Sequence, residues 1–406
     1  MKNDILFLSI LYPRDECVWD KYVKKHRGQN ISAIQYALLE GLSSNESTEC
    51  TVLNTLLVPL FPIGYKLPIV RGQKFSIEHI KESKCFSYLN VRGLYTSSLF
   101  YGAKKHLKQW ANKKNESKIA IAYSLTSYTV KAMHYLKRVN PNIKTMIIVP
   151  DLPEYTYRES TGFLKKTISS LGKKRVEKSL QKNLPFVDKL ILFSEKMNEK
   201  LNASSFTVFD GIATEDFKNI KPERLFPDDI IEILYAGGLN ESYGVQLLLD
   251  AFNLLKSNQY KLILAGRGPM QEKIKKYAEK NSKIIYLGEV PRSKLLSLEK
   301  GADVLINPRI NSGIFTKYSF PSKNMEYLSS GVPTIGYPLE GMSAEYKKYI
   351  NYFKEENATS LAETIEAVCE TEHEIAKKRA NEAQEFVFKN KNKNFWAEHI
   401  VQFANE

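Results

Sequence analysis

Residues 303–337 read DVLINPRINSGIFTKYSFPSKNMEYLSSGVPTIGY, and this stretch decides the fold. Its apolar run 304–306 predicts a buried strand, and a second strand is predicted to begin at Val332. Pro321 and Ser322 are predicted to open the helix that joins the two strands. A helix N-terminus beside the carboxyl end of a parallel strand binds anions, because its first N–H groups are unpaired and its dipole is positive there. The stretch therefore predicts a phosphate-binding site in an α/β protein.

Length and composition narrow the class of protein. The chain has 406 residues, which predicts two domains of about 200 residues each. It has no uncharged apolar run of about 18 residues, so no membrane-spanning helix is expected. Its first ten residues predict a strand rather than a signal peptide. The four cysteines have neither metal-ligand nor C-x-x-C spacing, which favours a reduced, cytoplasmic compartment and no bound metal.

The net charge of +14 is confined to the first half of the chain. Residues 1–218 contain 34 Lys and Arg against 20 Asp and Glu, whereas the remainder contains 25 of each. A coding bias toward lysine would affect both halves equally. The asymmetry therefore favours an anionic partner for the first half.

Strands and helices alternate along the whole chain, which predicts two Rossmann-like domains with doubly wound parallel sheets facing each other across a cleft. The Pro-rich and charged linker 218–229 divides them. The first domain is expected to span residues 1–218 and the second residues 219–389. The final helix, at about 390–406, is expected to pack back on the first domain.

One acidic residue of the first domain is a candidate for the active site. Asp151 follows the predicted strand 145–149, at the carboxyl edge of the sheet where α/β proteins bind ligands. The alternative is a turn or N-cap role ahead of Pro153.

Two basic amphipathic segments, 97–114 and 160–183, provide candidate contacts for an anionic membrane. Each has apolar residues on one side and lysines around it, a pattern that suits docking on a charged leaflet. Trp110, Phe163 and Leu164 are the predicted apolar contacts. The alternative is that both segments are packed helices with a solvated face.

The second half carries five short motifs in a fixed order. They are Asp210-Gly211-Ile212 with Phe217, Tyr235-Ala236-Gly237-Gly238-Leu239, Ala265-Gly266-Arg267-Gly268-Pro269, Leu287-Gly288 and Ala302-Asp303. Together with the stretch quoted first, they make residues 206–340 resemble the carboxyl-terminal half of glycosyltransferase family 4. The resemblance implies a GT-B fold and retaining transfer of a sugar from a nucleotide-diphosphate sugar, without a metal or other cofactor.

Glu326 matches the second glutamate of the family's E-x7-E signature, which implies that it accepts hydrogen bonds from the ribose hydroxyls of the donor. A carboxylate suits this task because it accepts from two neighbouring hydroxyls at once. The alternative is that Glu326 only complements the helix dipole.

The sequence departs from the family pattern at its basic residues. Tyr318 stands at the position of the first glutamate, Gly238 replaces an arginine, and Tyr243 replaces a nearby lysine. Cations at Arg309, Lys317 and Lys323 are candidates to take over the leaving diphosphate, since a relocated charge preserves the electrostatics. The same resemblance places five further residues in the donor site: Gly237, Gly238, Arg267, Tyr318 and Ser322.

The function expected from these patterns is glycosyl transfer to a lipid-linked or oligosaccharide acceptor in capsule, O-antigen or exopolysaccharide synthesis. The resemblance implies that the donor's β-phosphate takes the acceptor proton while Asp151 orients the acceptor or the sugar. The protein is then expected in the cytoplasm, at the inner face of the membrane. The alternative from another class is a GT-B-shaped partner without activity, which stabilises an active transferase.

Two other classes are disfavoured. A nicotinamide-dependent enzyme is disfavoured because the turn 266–269 lacks a third glycine. Nucleic-acid binding is disfavoured because no reader motif is present.

Overall fold

The computed structural model describes residues 2–14, 30–114, 117–156, 163–311 and 313–406. These fall into two compact units, Met1–Phe209 with Lys393–Glu406 and Asp210–Asn392. The sequence placed the divisions at 218 and 389. The residues just after Phe209 belong to the second unit because the Ala213 N–H donates to the carbonyl of Lys391 at 2.8 Å.

The first unit is a layered α/β structure. Its strands are β1 (Asn3–Ser9), β2 (Thr48–Asn54), β3 (Ile69–Val70), β4 (Gln73–Lys74), β5 (Glu82–Cys85), β6 (Tyr88–Leu89), β7 (Lys118–Tyr123), β8 (Lys144–Val149), β9 (Lys189–Leu192) and β10 (Phe206–Val208). Its helices before the second unit are α1 (Asn30–Ser44), α2 (Tyr95–Ala111), α3 (Ser127–Val139), α4 (Pro153–Thr156), α5 (Phe163–Asn183) and α6 (Asn198–Leu201).

Among the described residues, eight of these strands form one sheet in the order β10-β9-β8-β7-β1-β2-β5-β4. All neighbours are parallel except β4, which is antiparallel to β5. β7 is buried along its whole length, as expected for a strand covered by helices on both faces. β3 and β6 pair separately as a small antiparallel ribbon.

The second unit repeats the alternation. Its strands are β11 (Ile231–Ala236), β12 (Tyr260–Ala265), β13 (Ile284–Gly288), β14 (Val304–Asn307), β15 (Thr334–Gly336) and β16 (Asn351–Tyr352). Its helices are α7 (Val245–Leu254), α8 (Gln271–Lys280), α9 (Arg292–Gly301), α10 (Ile314–Lys317), α11 (Ser322–Ser330), α12 (Ala358–Cys369) and α13 (His373–Asn390). A final helix, α14 (Lys393–Asn405), returns to the first unit and packs on α1.

The described strands of the second unit lie in the order β13-β12-β11-β14-β15-β16, all parallel. Numbered from β11, this is the 3-2-1-4-5-6 order of nucleotide-binding Rossmann domains. The order reverses between β11 and β14. In such sheets, ligands bind outside the carboxyl ends of the strands at this reversal.

The helix α2 corrects one expectation. Trp110 is only 2% exposed, and its indole N–H donates to Asp4 Oδ1 at 2.9 Å inside the first unit. Leu99 and Leu107 are buried with it, so the apolar side of α2 covers the sheet and its lysines face outward. The prediction that Trp110 contacts a membrane is therefore wrong. In 160–183, residues 160–162 and the side chains of 163–172, Phe163 and Leu164 among them, lie outside the described residues.

Two glycines bring the turns after β11 and β12 into direct contact. A Cβ at Gly266 would lie 1.9 Å from the carbonyl oxygen of Gly237, and Gly266 has a φ of +131°. The Gly237 N–H donates to the carbonyl of Ala265 at 2.8 Å. The backbones of the two turns can approach this closely only where no side chain intervenes.

We expect Gly266→Ala to lower the free energy of unfolding by about 3 kcal/mol or more, because backbone overlap adds to the strain of a positive φ. Gly288→Ala is the matched control. Gly288 also has a positive φ, +69°, but a Cβ there meets nothing within 4 Å. It should cost only about 1–2 kcal/mol. Urea denaturation of both variants measures the difference, and equal losses would contradict the contact between the turns.

Candidate functional site

The candidate site lies where the sheet of the second unit reverses its order. The turn after β11 contains Gly237 and Gly238, and the loop after β14 contains Pro308 and Arg309. These two loops touch, since a Cβ at Gly244 would lie 2.0 Å from the carbonyl oxygen of Pro308. Helix α11 begins nearby at Ser322, in agreement with the sequence prediction of a helix start here.

Lys323, the second residue of α11, reaches across to the turn after β11. A Cβ at Gly237 would lie 1.9 Å from its Cε and 2.0 Å from its Nζ. The Lys323 Nζ also lies 5.5 Å from the centre of the Tyr235 ring. The ammonium therefore occupies the space that any side chain at position 237 would need.

The environment of Lys323 disfavours its charge. Burial lowers the pKa of its ammonium, while the negative charge of Glu326 opposes this effect. A cation held away from water interacts more strongly with an anion than an exposed one does. An anionic group that binds at the start of α11 would therefore gain from both the helix dipole and Lys323.

Glu326 lies one turn further along α11 and is tied to α9. Its Oε2 lies 2.6 Å from Nη2 of Arg292, and its side chain is 16% exposed whereas that of Arg292 is 54% exposed. A carboxylate has about four acceptor positions on its two oxygens, so a pair with Arg292 leaves capacity for ligand hydroxyls.

A second carboxyl group, that of Glu299 on α9, is buried beside this pair. Its residue is fully buried, and neither oxygen has a hydrogen-bond partner among the described residues. Burial, and then the negative charge of Glu326, raise the pKa of Glu299 well above its usual value. These effects favour the protonated form of Glu299.

Sequence reasoning missed Arg292 and Glu299. The signal that was available is their spacing, because Arg292, Leu296 and Glu299 fall at i, i+4 and i+7 on one face of α9. A charged residue on the apolar face of a helix predicts a partner of opposite charge or a hydrogen-bond partner, because charged residues are almost never buried unpaired.

The other cations predicted for the diphosphate lie between β14 and α11, Arg309 in the loop after β14 and Lys317 at the end of α10. Arg309 Nη2 donates to Ser319 Oγ at 2.8 Å, and its guanidinium carbon is 5.9 Å from the centre of the Tyr243 ring. Lys317 Nζ lies 5.5 Å from the ring of Tyr318, which is buried. Arg309 is thus tied to Ser319 in the loop that leads to α11.

Arg267, Gly238 and Ser322 occupy different surroundings. Arg267 is exposed, and its Nε lies 3.2 Å from Oε1 of Glu289, beside a shallow pocket of about 380 Å3 after β12 and β13. The carbonyl of Gly238 accepts from the Tyr235 hydroxyl at 2.8 Å. Ser322 is exposed at the first position of α11. Arg267 therefore lies at the exposed edge of the sheet. It is not part of the group formed by Lys323, Glu326, Arg292 and Glu299, which we call the Lys323 cluster.

Asp151 belongs to the first unit. It is exposed and follows β8, at the carboxyl edge of that sheet. Burial, and then the charge of Asp151, raise the pKa of Tyr123 at the end of β7, which places the two residues at neighbouring strand ends.

The described residues offer neither a metal site nor a membrane-spanning helix. The part of the chain that the structure describes has no group of three or more His, Cys, Asp or Glu side chains that could hold a metal ion. Within the same described residues, no helix is both long enough and apolar enough to cross a bilayer.

The chain is similar to a known protein family in sequence and to known proteins in structure. Residues 216–386 match the family model described as glycosyl transferases group 1. The matched range contains the Lys323 cluster and the turns after β11 and β12. The match supports a glycosyltransferase. No curated protein sequence matches the chain.

Solved structures share the fold of the whole chain. A sucrose-phosphate synthase from Thermosynechococcus elongatus has a TM-score of 0.61 at 15% identity, covering 100% of this chain and 98% of that one. A glycosyltransferase from Rickettsia africae ESF-5 has a TM-score of 0.61 at 14% identity, covering 99% and 98%. HepE from Anabaena, in complex with UDP, has a TM-score of 0.56 at 12% identity, covering 99% of each chain. The fold is GT-B, and the predicted class of two Rossmann-like α/β units is confirmed.

We expect Glu299→Gln to stabilise the protein increasingly as the pH rises above about 4.5, the ordinary pKa of a glutamate. Above that pH the unfolded chain ionises Glu299 while the folded protein holds the proton, so folding stability is lost as the pH rises through the raised pKa. Glutamine removes this loss, which amounts to at most about 1.4 kcal/mol per pH unit.

Urea denaturation of wild type and variant between pH 4.5 and 8 measures the effect of Glu299→Gln. Glu374→Gln, a change at an exposed glutamate of α13, is the control. A difference from wild type that does not change with pH would contradict the assignment of a protonated Glu299.

Proposed function

We propose that the protein is a retaining glycosyltransferase of family 4 type, which transfers a sugar from a nucleotide-diphosphate sugar to a lipid-linked or saccharide acceptor. One observation carries this proposal. The Lys323 ammonium lies over Gly237 at the start of α11, where the sheet order reverses, and Glu326 follows one turn later. A cation and a carboxylate at this spacing suit a diphosphate and a ribose.

Each group of the donor then has a partner in the second unit. The diphosphate binds at the start of α11, where Lys323, Arg309 and Lys317 neutralise the charge that develops on the leaving phosphate. Glu326 accepts from the ribose hydroxyls. Gly237 lets the Lys323 ammonium lie against the turn after β11, where the diphosphate binds.

The acceptor side belongs to the first unit. Asp151 orients the acceptor or the transferred sugar, and the donor's own β-phosphate takes the acceptor proton. The process served is cell-envelope polysaccharide synthesis, in the cytoplasm at the inner face of the membrane. There the basic segments 97–114 and 160–183 meet anionic lipid.

Thermal shifts with UDP, GDP, dTDP and CMP test the proposal. The complex of HepE with UDP makes UDP the first nucleotide to examine. A saturable shift with one nucleoside diphosphate is expected. No shift with any of them would favour the alternative, a GT-B-shaped partner without activity. Retention is tested separately, by the anomeric configuration of the product from a donor of known configuration.

We expect Glu326→Ala to weaken nucleotide binding about 10- to 100-fold, because a lost hydrogen bond to a charged acceptor costs about 1.5–3 kcal/mol. Calorimetric titration with the identified nucleoside diphosphate measures this loss. Glu374→Ala, at an exposed glutamate of α13, is the control and should bind as wild type does. Unchanged affinity in a folded Glu326→Ala variant would overturn the ribose role.

We expect Lys323→Ala to weaken binding of the diphosphate much more than binding of the free nucleoside, because only the diphosphate offers a charge to this ammonium. Lys317→Ala and Arg309→Ala should act in the same direction but less. Lys377→Ala on α13 is the control, since its ammonium is exposed. Equal losses for nucleoside and nucleoside diphosphate would show that these cations are not phosphate ligands.

A further inference from the structure

The first unit exposes large apolar side chains that are not part of the donor site. Ile63 is 88% exposed, Tyr101 is 71% exposed and Leu94 is 55% exposed. Ile69 and Leu89 are also exposed, at 45% and 38%. Burying such residues would be favourable, so their exposure indicates a surface that contacts a partner.

These five side chains lie on connected elements. Ile69 of β3 and Leu89 of β6 are directly opposite in the antiparallel ribbon, and cross-strand partners share a face. The other pair of the ribbon, Val70 and Tyr88, is buried on the opposite face.

Helix α2 continues this surface. The Leu89 N–H donates to Ser98 Oγ at 3.1 Å, which places the ribbon beside the first turn of α2. Leu94 and Tyr101 lie on the same side of α2 as Ser98, four residues before it and three after it. Lys105 follows on this side, so the stripe is apolar at its start and basic at its end.

The loop that carries Ile63 meets the end of the ribbon. The Phe61 N–H donates to the carbonyl of Asn90 at 3.1 Å, and Phe61 forms an isolated bridge with Val91. We call the surface formed by Ile63, Ile69, Leu89, Leu94 and Tyr101 the apolar tip.

The charge around the apolar tip decides what covers it. Between Phe61 and Trp110 the sequence has nine Lys and Arg but only two glutamates. The cations that flank the tip are exposed: Lys66, Arg71, Arg92, Lys104 and Lys105. A second copy of the chain would bring the same cations against these and repel them. An anionic lipid surface complements the cations and accepts the apolar side chains.

We propose that the apolar tip inserts into the headgroup region of an anionic membrane while the flanking cations bind lipid phosphates. This inference deepens the membrane association in the proposed function and replaces Trp110 with side chains that the structure exposes. The ribbon lies on the carboxyl side of the first sheet, since the Tyr88 hydroxyl donates to the carbonyl of Leu56 just after β2, so docking there brings this edge toward the lipid.

Co-sedimentation of the full chain with vesicles tests the docking surface. Wild type should bind vesicles that contain phosphatidylglycerol and not vesicles of phosphatidylcholine alone, and binding should weaken with salt because the charges are screened within about 8–10 Å. The combined variant Ile63→Ser, Leu94→Ser and Tyr101→Ser should bind vesicles at least about 10-fold more weakly than wild type, because part of the affinity comes from buried apolar area.

One control variant and one further test variant complete the experiment. Leu225→Ser, Leu254→Ser and Ile375→Ser together remove exposed apolar side chains of the second unit and should leave vesicle binding unchanged. Lys104→Gln with Lys105→Gln should weaken binding on the order of 10-fold, because each cation near the surface contributes. Nucleotide binding by all variants is measured in parallel. If wild type binds vesicles but no nucleotide, the proposed donor site fails while the docking surface stands.

Insertion itself is read from tryptophan fluorescence. Tyr101→Trp should shift its emission to shorter wavelength on anionic vesicles and be quenched by brominated lipid, whereas Ile375→Trp should do neither. Equal vesicle binding by wild type and the combined serine variant would overturn the apolar tip. Absence of any binding to anionic vesicles would overturn the membrane partner. Conversion of a wild-type dimer to a monomer by the serine changes would assign the surface to self-association instead.

Discussion

The position of the Lys323 ammonium over Gly237 is the constraint on which the second unit's site depends. It requires α11 to begin beside the turn after β11, and it requires that turn to carry no side chain. The turn is held in place by its neighbour, because the Gly237 carbonyl leaves no room for a Cβ at Gly266. The Lys323 ammonium therefore explains why position 237 has no side chain, and the Gly237 carbonyl explains why position 266 has none. In the sequence these two glycines belong to separate motifs.

Three ionisable side chains surround the Lys323 ammonium. Lys323 and Arg292 are both near Glu326, and Glu299 is buried beside them in an environment that favours its neutral form. The Glu326 carboxyl group thus lies beside two basic side chains at the start of α11. In the proposed donor complex, Lys323 and Arg309 take the place of the basic residues that the family pattern has at positions 238 and 243.

The sequence predicted the parts of this arrangement that local rules determine. The strand alternation, the helix start at Ser322 and the glycine turns follow from periodicity, capping and backbone freedom. The pairing of Arg292 with Glu326 does not, because it depends on how α9 and α11 pack. Trp110 was misassigned for a related reason. The apolar stripe of α2 faces the sheet, as it does in most amphipathic helices, and its exposed apolar residues lie outside that stripe.

A buried ion pair closes the second unit where the chain crosses between the units. Asp210 is 2% exposed and Lys391 is 7% exposed, and Lys391 Nζ lies 3.0 Å from Asp210 Oδ2. The same oxygen accepts from the Tyr346 hydroxyl at 2.5 Å. Removing one partner of such a pair leaves an uncompensated buried charge, at a cost of about 3–5 kcal/mol. The pair therefore fixes to this unit the two places where the chain enters and leaves it, near Asp210 and Lys391. The second unit is thus inserted in the sequence of the first, and its strand order is specified by its own contacts.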